Sequence, residues 1–272
     1  MRRRLAGADP GAEVPALPAP ERGRREREGF YRRTLEALLQ EGVLDRGMSI
    51  LVVAGAAADA EALRAAGFEN VTISNIDDSA GPDAFAPYRW SYQDAERLDL
   101  EDGAFDVAVV SAGLHHCASP HAALLEMYRV ARRGLLAIES RDSLLMRAGS
   151  KLGVVDDYEL TAVVAAGFAS GGVRNTPVPN YVYRWTEREV EKTIAARAPY
   201  ARHRFRYFRE LELPHSLFEM RRNPLWRVAM RAVEPAAALV GRVFPGQANL
   251  FAFAVQKPEL PRDLQPWLQL ED

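Results

Sequence analysis

Two histidines stand side by side in Leu114-His115-His116-Cys117, just after the apolar run FDVAVVS over residues 105–111. A histidine titrates close to neutral pH, so a neutral imidazole here can take a proton from a hydroxyl. Either His115 or His116 can act as that base while the other orients the loop. Cys117 is the single cysteine of the chain. One thiol allows neither an intramolecular disulfide nor a metal site built on several thiolates, and packing is its simplest role. No metal is expected. Further along, a Gly, Pro and Asn loop over 171–180 delivers Tyr181, Tyr183 and Trp185 in quick alternation, with Arg184 between them. Aromatic rings beside an arginine can stack on a sugar or hold an anion. The same residues would equally suit an edge strand packed on the core. Arg141 and Asp142 follow the apolar segment 135–139 and can contact a substrate or pair with each other.

The elements that must position these groups begin at SILVVAGAAAD, residues 49–59. The run from Ile50 to Val53 suits a strand buried on both faces of a parallel sheet. It stops at Ala54, Gly55 and Ala56, whose small side chains let a ligand approach the backbone. Asp59 is expected to cap a helix that carries Ala60, Leu63 and Ala66 on one face and ends at Gly67. Strand, small-residue turn and helix form the nucleotide-binding corner of a doubly wound sheet, although tight packing alone could also explain them. The next β-branched run, NVTISNID over 70–77, ends in Asn75 and Asp77. Either can accept hydrogen bonds from ribose hydroxyls at that strand end. A helical spacing covers 30–43, and Thr186 with Glu189 forms a capping box opening a helix through Ala196. Strict alternation over 202–208 and the apolar segment 249–256 read as the last two strands. Between them, 224–243 has helical spacing, with Arg221, Arg222, Arg227 and Arg231 forming a solvated basic face.

The 272 residues carry a formal net charge of -2, which demands no polyanionic partner, and no pattern matches an RNA-binding module. No nucleic acid and no membrane span are expected, and the start of the chain lacks the apolar core of a secretory signal. A reducing, cytoplasmic setting fits the lone thiol. Residues 1–28 lack periodicity and read as a disordered tail, 29–257 as one domain, and 258–272 as a loose tail in which Trp267 could anchor.

The order of small-residue corner, acidic strand end, Asp94-Ala95-Glu96, the Phe105-Asp106 strand and Leu-His-His resembles the class I S-adenosylmethionine-dependent methyltransferases. More narrowly it is similar to their broad subgroup with Leu-His-His after the fourth strand, the type 11-like methyltransferases, over about residues 48–140. The resemblance implies an α/β, Rossmann-like doubly wound sheet of about seven strands, mostly parallel with an antiparallel last strand. A partly helical cap over 141–248 would set the acceptor, with 249–257 as the last strand. It also implies S-adenosyl-L-methionine as cofactor. Ala54, Gly55 and Ala56 would pass under its methionine part, and Asn75 or Asp77 would hold the ribose. Asp94 and Ala95 would face the adenine, and Ser111 and Ala112 would floor the pocket. Two positions depart from the family pattern: only Gly55 remains of the usual corner glycines, and Arg132-Arg133-Gly134 replaces Pro-Gly-Gly.

The implied reaction is O-methylation of a small hydroxylated acceptor such as a sugar, glycan precursor or secondary metabolite. Arg141, Tyr181, Tyr183, Arg184 and Trp185 would line the acceptor mouth. Two other classes compete. A catalytically inactive methyltransferase-like binding or scaffold protein fits the depleted glycines but not Asp94 with an intact Leu-His-His. A nicotinamide-dependent oxidoreductase requires a G-x-G-x-x-G and a Tyr-x-x-x-Lys, and the chain has neither.

Overall fold

A computed structural model describes residues 21–153, 155–212, 239 and 241–268. The chain opens with helix α1 (Glu21–Gln40), followed by β1 (Ile50–Val52), α2 (Ala57–Ala65) and β2 (Val71–Asn75). Next come β3 (Arg89–Tyr92), β4 (Phe105–Ser111), α3 (Pro120–Val130) and β5 (Ala131–Ser140). The second half holds α4 (Leu144–Lys151), β6 (Tyr158–Glu159), α5 (Thr161–Ala165), β7 (Asn180–Tyr181), α6 (Glu187–Arg197), β8 (Arg204–Glu210) and β9 (Leu250–Gln256).

Seven strands form one sheet in the order β3-β2-β1-β4-β5-β9-β8, and β6 pairs with β7 in a small separate ladder. The pairings from β3 to β5 are parallel, whereas β9 runs antiparallel to both β5 and β8. Ile50 and Val52 face a core made with Phe30, Leu35, Leu38 and Leu63 of α1 and α2. Leu51 and Val53 point the other way, into a core with Leu124, Met127, Ile194 and Phe253. Two-sided burial explains why these strands read as continuous apolar runs. Strand order reverses between β1 and β4, so the carboxyl ends of these two strands border the crevice where such sheets bind ligands.

Several boundaries differ from the sequence expectation. Helix α1 starts at Glu21, upstream of Gly29, and Arg27 pairs with Glu212 at 3.1 Å; residues 1–20 lie outside the described residues. Ala56, not Asp59, is the N-cap of α2. The buried Asp59 carboxylate lies one turn in and accepts the Ala56 N–H at 2.8 Å, so it closes the same helix end from the inside. Arg132-Arg133-Gly134 is part of β5, not a turn, and a Cβ at Gly134 would run into the Val255 carbonyl. The segment after β9 is docked through an Ala201–Leu264 bridge and the Gln265 N–H to Tyr200 carbonyl bond, while Trp267 is exposed. Most of the helix expected over 224–243, with Arg221, Arg222, Arg227 and Arg231, lies outside the described residues.

Candidate active site

The crevice is shaped by two turns of small residues. Past β1, the Gly55 N–H bonds to the Ser74 carbonyl at 2.8 Å, and Ala54 between them takes φ 51°. Past β4, Ala112 takes φ 52°. Both alanines accept a left-handed backbone that costs them about 1 kcal/mol or more relative to glycine. The loss of corner glycines noted in the sequence therefore leaves the turn intact at a modest energetic cost. Substitution would be resisted elsewhere: a Cβ on Gly55 would lie 2.7 Å from Val52 Cγ1, and one on Gly113 would lie 2.8 Å from Ala54 Cβ. The Gly113 approach to Ala54 presses the two turns together. Asn75 braces the first of them, donating from Nδ2 to the Gly55 carbonyl at 2.9 Å and accepting the Asp77 N–H at 3.0 Å.

His115 and His116 sit in the short 3-10 turn Leu114–His116 that follows the β4 turn. Glu139, buried near the end of β5, binds this turn twice. One oxygen accepts the Leu114 N–H at 2.7 Å and the other meets His115 Nδ1 at 2.8 Å. Glu159 of β6 faces the opposite side, with Oε2 3.2 Å from His115 Nε2 and 3.3 Å from His116 Nε2. Burial alone would depress the His115 pKa, but the Glu139 carboxylate, helped by Glu159, holds it up to about 10. Glu159 is pulled down to about 2, chiefly by the His115 hydrogen bond. His115 is thus a fixed imidazolium near neutral pH and has no lone pair with which to take a proton. His116 differs: burial, then the His115 charge, lower its pKa, so it is neutral there. Cys117 is pushed up to about 12 by burial, then by Glu96, which leaves a protonated, inert thiol.

The β6–β7 ladder pairs Glu159 with Asn180 and Tyr158 with Tyr181, and so lays the cap over the histidines. From the loop before β7, Arg174 reaches back to Asp94 Oδ2 at 2.6 Å and Glu96 Oε2 at 3.1 Å. Asp94 Oδ1 is also engaged, accepting the Glu96 N–H at 3.0 Å. Ala95 is buried beside it, Ser111 is half-buried, and Ala112 is exposed at the crevice.

The residues expected at the acceptor mouth separate. Trp185 is completely buried, with its ring 5.8 Å from that of Phe253, and it lines no surface. Arg141 forks onto Glu187 at 2.8 Å and 3.1 Å, and Arg184 binds Asp157 at 2.8 Å. Both guanidiniums serve as braces. The Tyr183 hydroxyl donates to Glu189, and its ring stacks edge-on against Trp185. Tyr181 alone of the set is largely exposed, and it packs against the ring of Tyr158. Burial won for Trp185 because its position next to β5, bridged to Arg141, points the ring into the sheet layer. Sequence reasoning missed Glu139, Glu159 and Arg174. A charged residue closing an apolar run could have flagged Glu139, whereas nothing local marks the other two.

Residues 52–138 match the family described as methyltransferase domain. The chain carries a class I S-adenosylmethionine-dependent methyltransferase domain. S-adenosylmethionine is its cofactor, and the chain is a methyltransferase. No curated protein matches the sequence. Among solved structures, magnesium protoporphyrin IX methyltransferase (ChlM) from Synechocystis PCC 6803 with bound SAH is similar in fold. It shows 12% identity and a TM-score of 0.52, over 92% of this chain and 90% of that one. A chain from the complex between the Haloferax volcanii Trm112 methyltransferase activator and a putative methyltransferase is similar at 11% identity and TM-score 0.53. That match covers 88% of this chain and 93% of the other. The residues of this methyltransferase suit the cofactor. The Ala54–Ala56 and Ala112–Gly113 turns carry only hydrogen or methyl side chains, and Asp77 and Asp94 follow the carboxyl ends of β2 and β3. Among the described residues, no helix is long and apolar enough to cross a membrane.

Proposed function

We propose that this methyltransferase methylates an oxygen of a small hydroxylated acceptor, of the class of sugars, glycan precursors or secondary metabolites, with His116 as the general base. The observation that supports this reading is the unequal histidine pair. His115 is clamped between Glu139 and Glu159, and His116 beside it is neutral and half-buried. An in-line displacement asks the protein chiefly to align the acceptor and remove its proton. The bound cofactor supplies a methyl group on a sulfonium centre. Ala54, Gly55 and Ala56 shape the turn beneath it, and Ser111 and Ala112 form the floor. Asp77 holds the ribose, since the Asn75 side chain is committed to Gly55. Asp94 accepts from the adenine amine, with Ala95 packed beside it. The His115 imidazolium fixes the loop and favours an anionic acceptor oxygen. Exposed Tyr181, with Tyr158, offers ring faces to the acceptor at the edge of the cap. A cytoplasmic setting without nucleic-acid partners suits this chemistry.

The test is methyl transfer to a panel of hydroxylated small molecules, run with His116→Ala and His115→Ala. His116→Ala should lower kcat about 100-fold with cofactor affinity unchanged. Wild-type kcat across neutral pH should fall on the acid side, because protonated His116 cannot act as base. Its inflection should lie below the usual histidine value near 6.5, in keeping with the lowered pKa. An His116→Ala enzyme with undiminished kcat would sink the assignment.

A further inference from the structure

We infer that His115, His116 and Glu159 form a binding site for one divalent transition-metal ion. The inference rests on the reading of His116 as base only for its effect on turnover, since the lone pair that takes a proton is the one that would hold the ion. Binding itself stands on the geometry. The three ligand atoms lie within 4.8 Å of one another, and the two histidine Nε2 atoms approach a single Glu159 oxygen at 3.2 Å and 3.3 Å. Donors each about 2.1 Å from one ion stand about 3.0 Å apart at a right angle and about 3.4 Å apart at the tetrahedral angle. Both measured separations fall in that interval. The half-exposed His116 ring has to turn as the ion binds, to bring its nitrogen to a coordinating separation from that of His115.

The outer contacts are those a metal-binding histidine needs. The Nδ1 of His115 is held by the buried Glu139 carboxylate at 2.8 Å, which presents Nε2 inward; the ion takes the place of the Nε2 proton that this imidazolium carries, and that proton leaves to solvent. Two imidazoles and one carboxylate select zinc, cobalt, nickel or iron over magnesium or calcium. His116 and Glu159 side chains are each 31% exposed, so an ion can enter from the cap side. Three protein ligands leave at least one position for water or an acceptor oxygen. Because the histidines belong to the sheet edge and Glu159 to the cap, the ion would also tie the two together.

Tag-free protein stripped with a chelator and dialysed should be titrated with Co²⁺ and followed by visible absorption and by Tm. One ion per chain, with a raised Tm, is expected. Glu159→Gln and Glu139→Gln should each weaken Co²⁺ binding about 10- to 100-fold. His203→Ala, which alters a histidine paired with Tyr128 instead, should leave it unchanged. No cobalt spectrum at about 1 mM, or binding indifferent to Glu159→Gln and Glu139→Gln in variants that retain the wild-type Tm without metal, overturns the site. Zn²⁺ should inhibit methyl transfer and chelation should restore it. Activation by Zn²⁺ with loss on chelation would keep the site but overturn His116 as base.

Discussion

The cofactor corner and the cap meet at the same sheet edge but are built by opposite means. In the corner, backbone geometry does the work: left-handed Ala54 and Ala112, close-packed Gly55 and Gly113, and Asn75 bracing the Gly55 carbonyl. In the cap, long-range side-chain pairs do it: Arg174 to Asp94, Arg184 to Asp157, and Glu159 to both histidines. Backbone turns depend on neighbouring residue types. Ion pairs depend on where distant segments land. The geometry of the corner therefore does not depend on the charged pairs of the cap, and replacing one such pair leaves the sheet untouched.

The comparison breaks most visibly at Trp185, a cap-side residue that behaves as core. Trp185→Ala should cost about 3–5 kcal/mol of stability, read from denaturant midpoints, as expected for an emptied aromatic site. Exposed Tyr181→Ala should stay within about 0.5 kcal/mol while changing the acceptor KM. Equal losses for the two would erase the distinction between packed and exposed aromatics.

A second test sharpens the corner. Burial raises the Asp59 pKa from 3.8 to about 6, so the folded state holds that proton more tightly than the unfolded chain. Its contribution to stability is greatest below about pH 4, declines as pH rises through about 6, and is flat above, amounting to about 3 kcal/mol. Asp59→Asn keeps an oxygen for the Ala56 N–H and should flatten stability between those pH values. A pH dependence that persists unchanged would show that another group causes it.

A smaller effect is expected where the two regions touch. Asp94→Ala should weaken S-adenosylmethionine binding by about 1–3 kcal/mol in a calorimetric titration. Arg174→Ala should tighten it by up to about 1 kcal/mol, because the half-exposed guanidinium competes for the same carboxylate. Weaker binding in Arg174→Ala would mean that the cap arginine supports the cofactor. Least of all, Ala54→Gly should change stability by less than about 1 kcal/mol. Relief of the left-handed Cβ offsets the greater entropy of glycine in the unfolded chain. A larger loss would show that the Ala54 methyl packs productively against Gly113.

The amino-acid sequence by itself determined the parallel core, because doubly buried strand segments such as 50–53 and 107–110 must be continuously apolar. It also determined the N-cap of α6, in which the Glu189 N–H donates to the Thr186 hydroxyl, but not the other half of the expected capping box, because the Glu189 carboxylate takes the Tyr183 hydroxyl instead. The methyltransferase resemblance over about 48–140 was legible because its motifs are local and ordered, and the matched residues 52–138 fall within it. Only the tertiary structure decided what the charged and aromatic residues beyond Ser140 do. It buried Trp185, turned Arg141 and Arg184 into braces, and brought Glu159 from β6 to histidines of the β4 loop. It also separated two chemically identical neighbours, making His115 an imidazolium and His116 a neutral ring. A side chain's protonation follows from the charges that surround it, and those charges arrive from segments far apart in the chain.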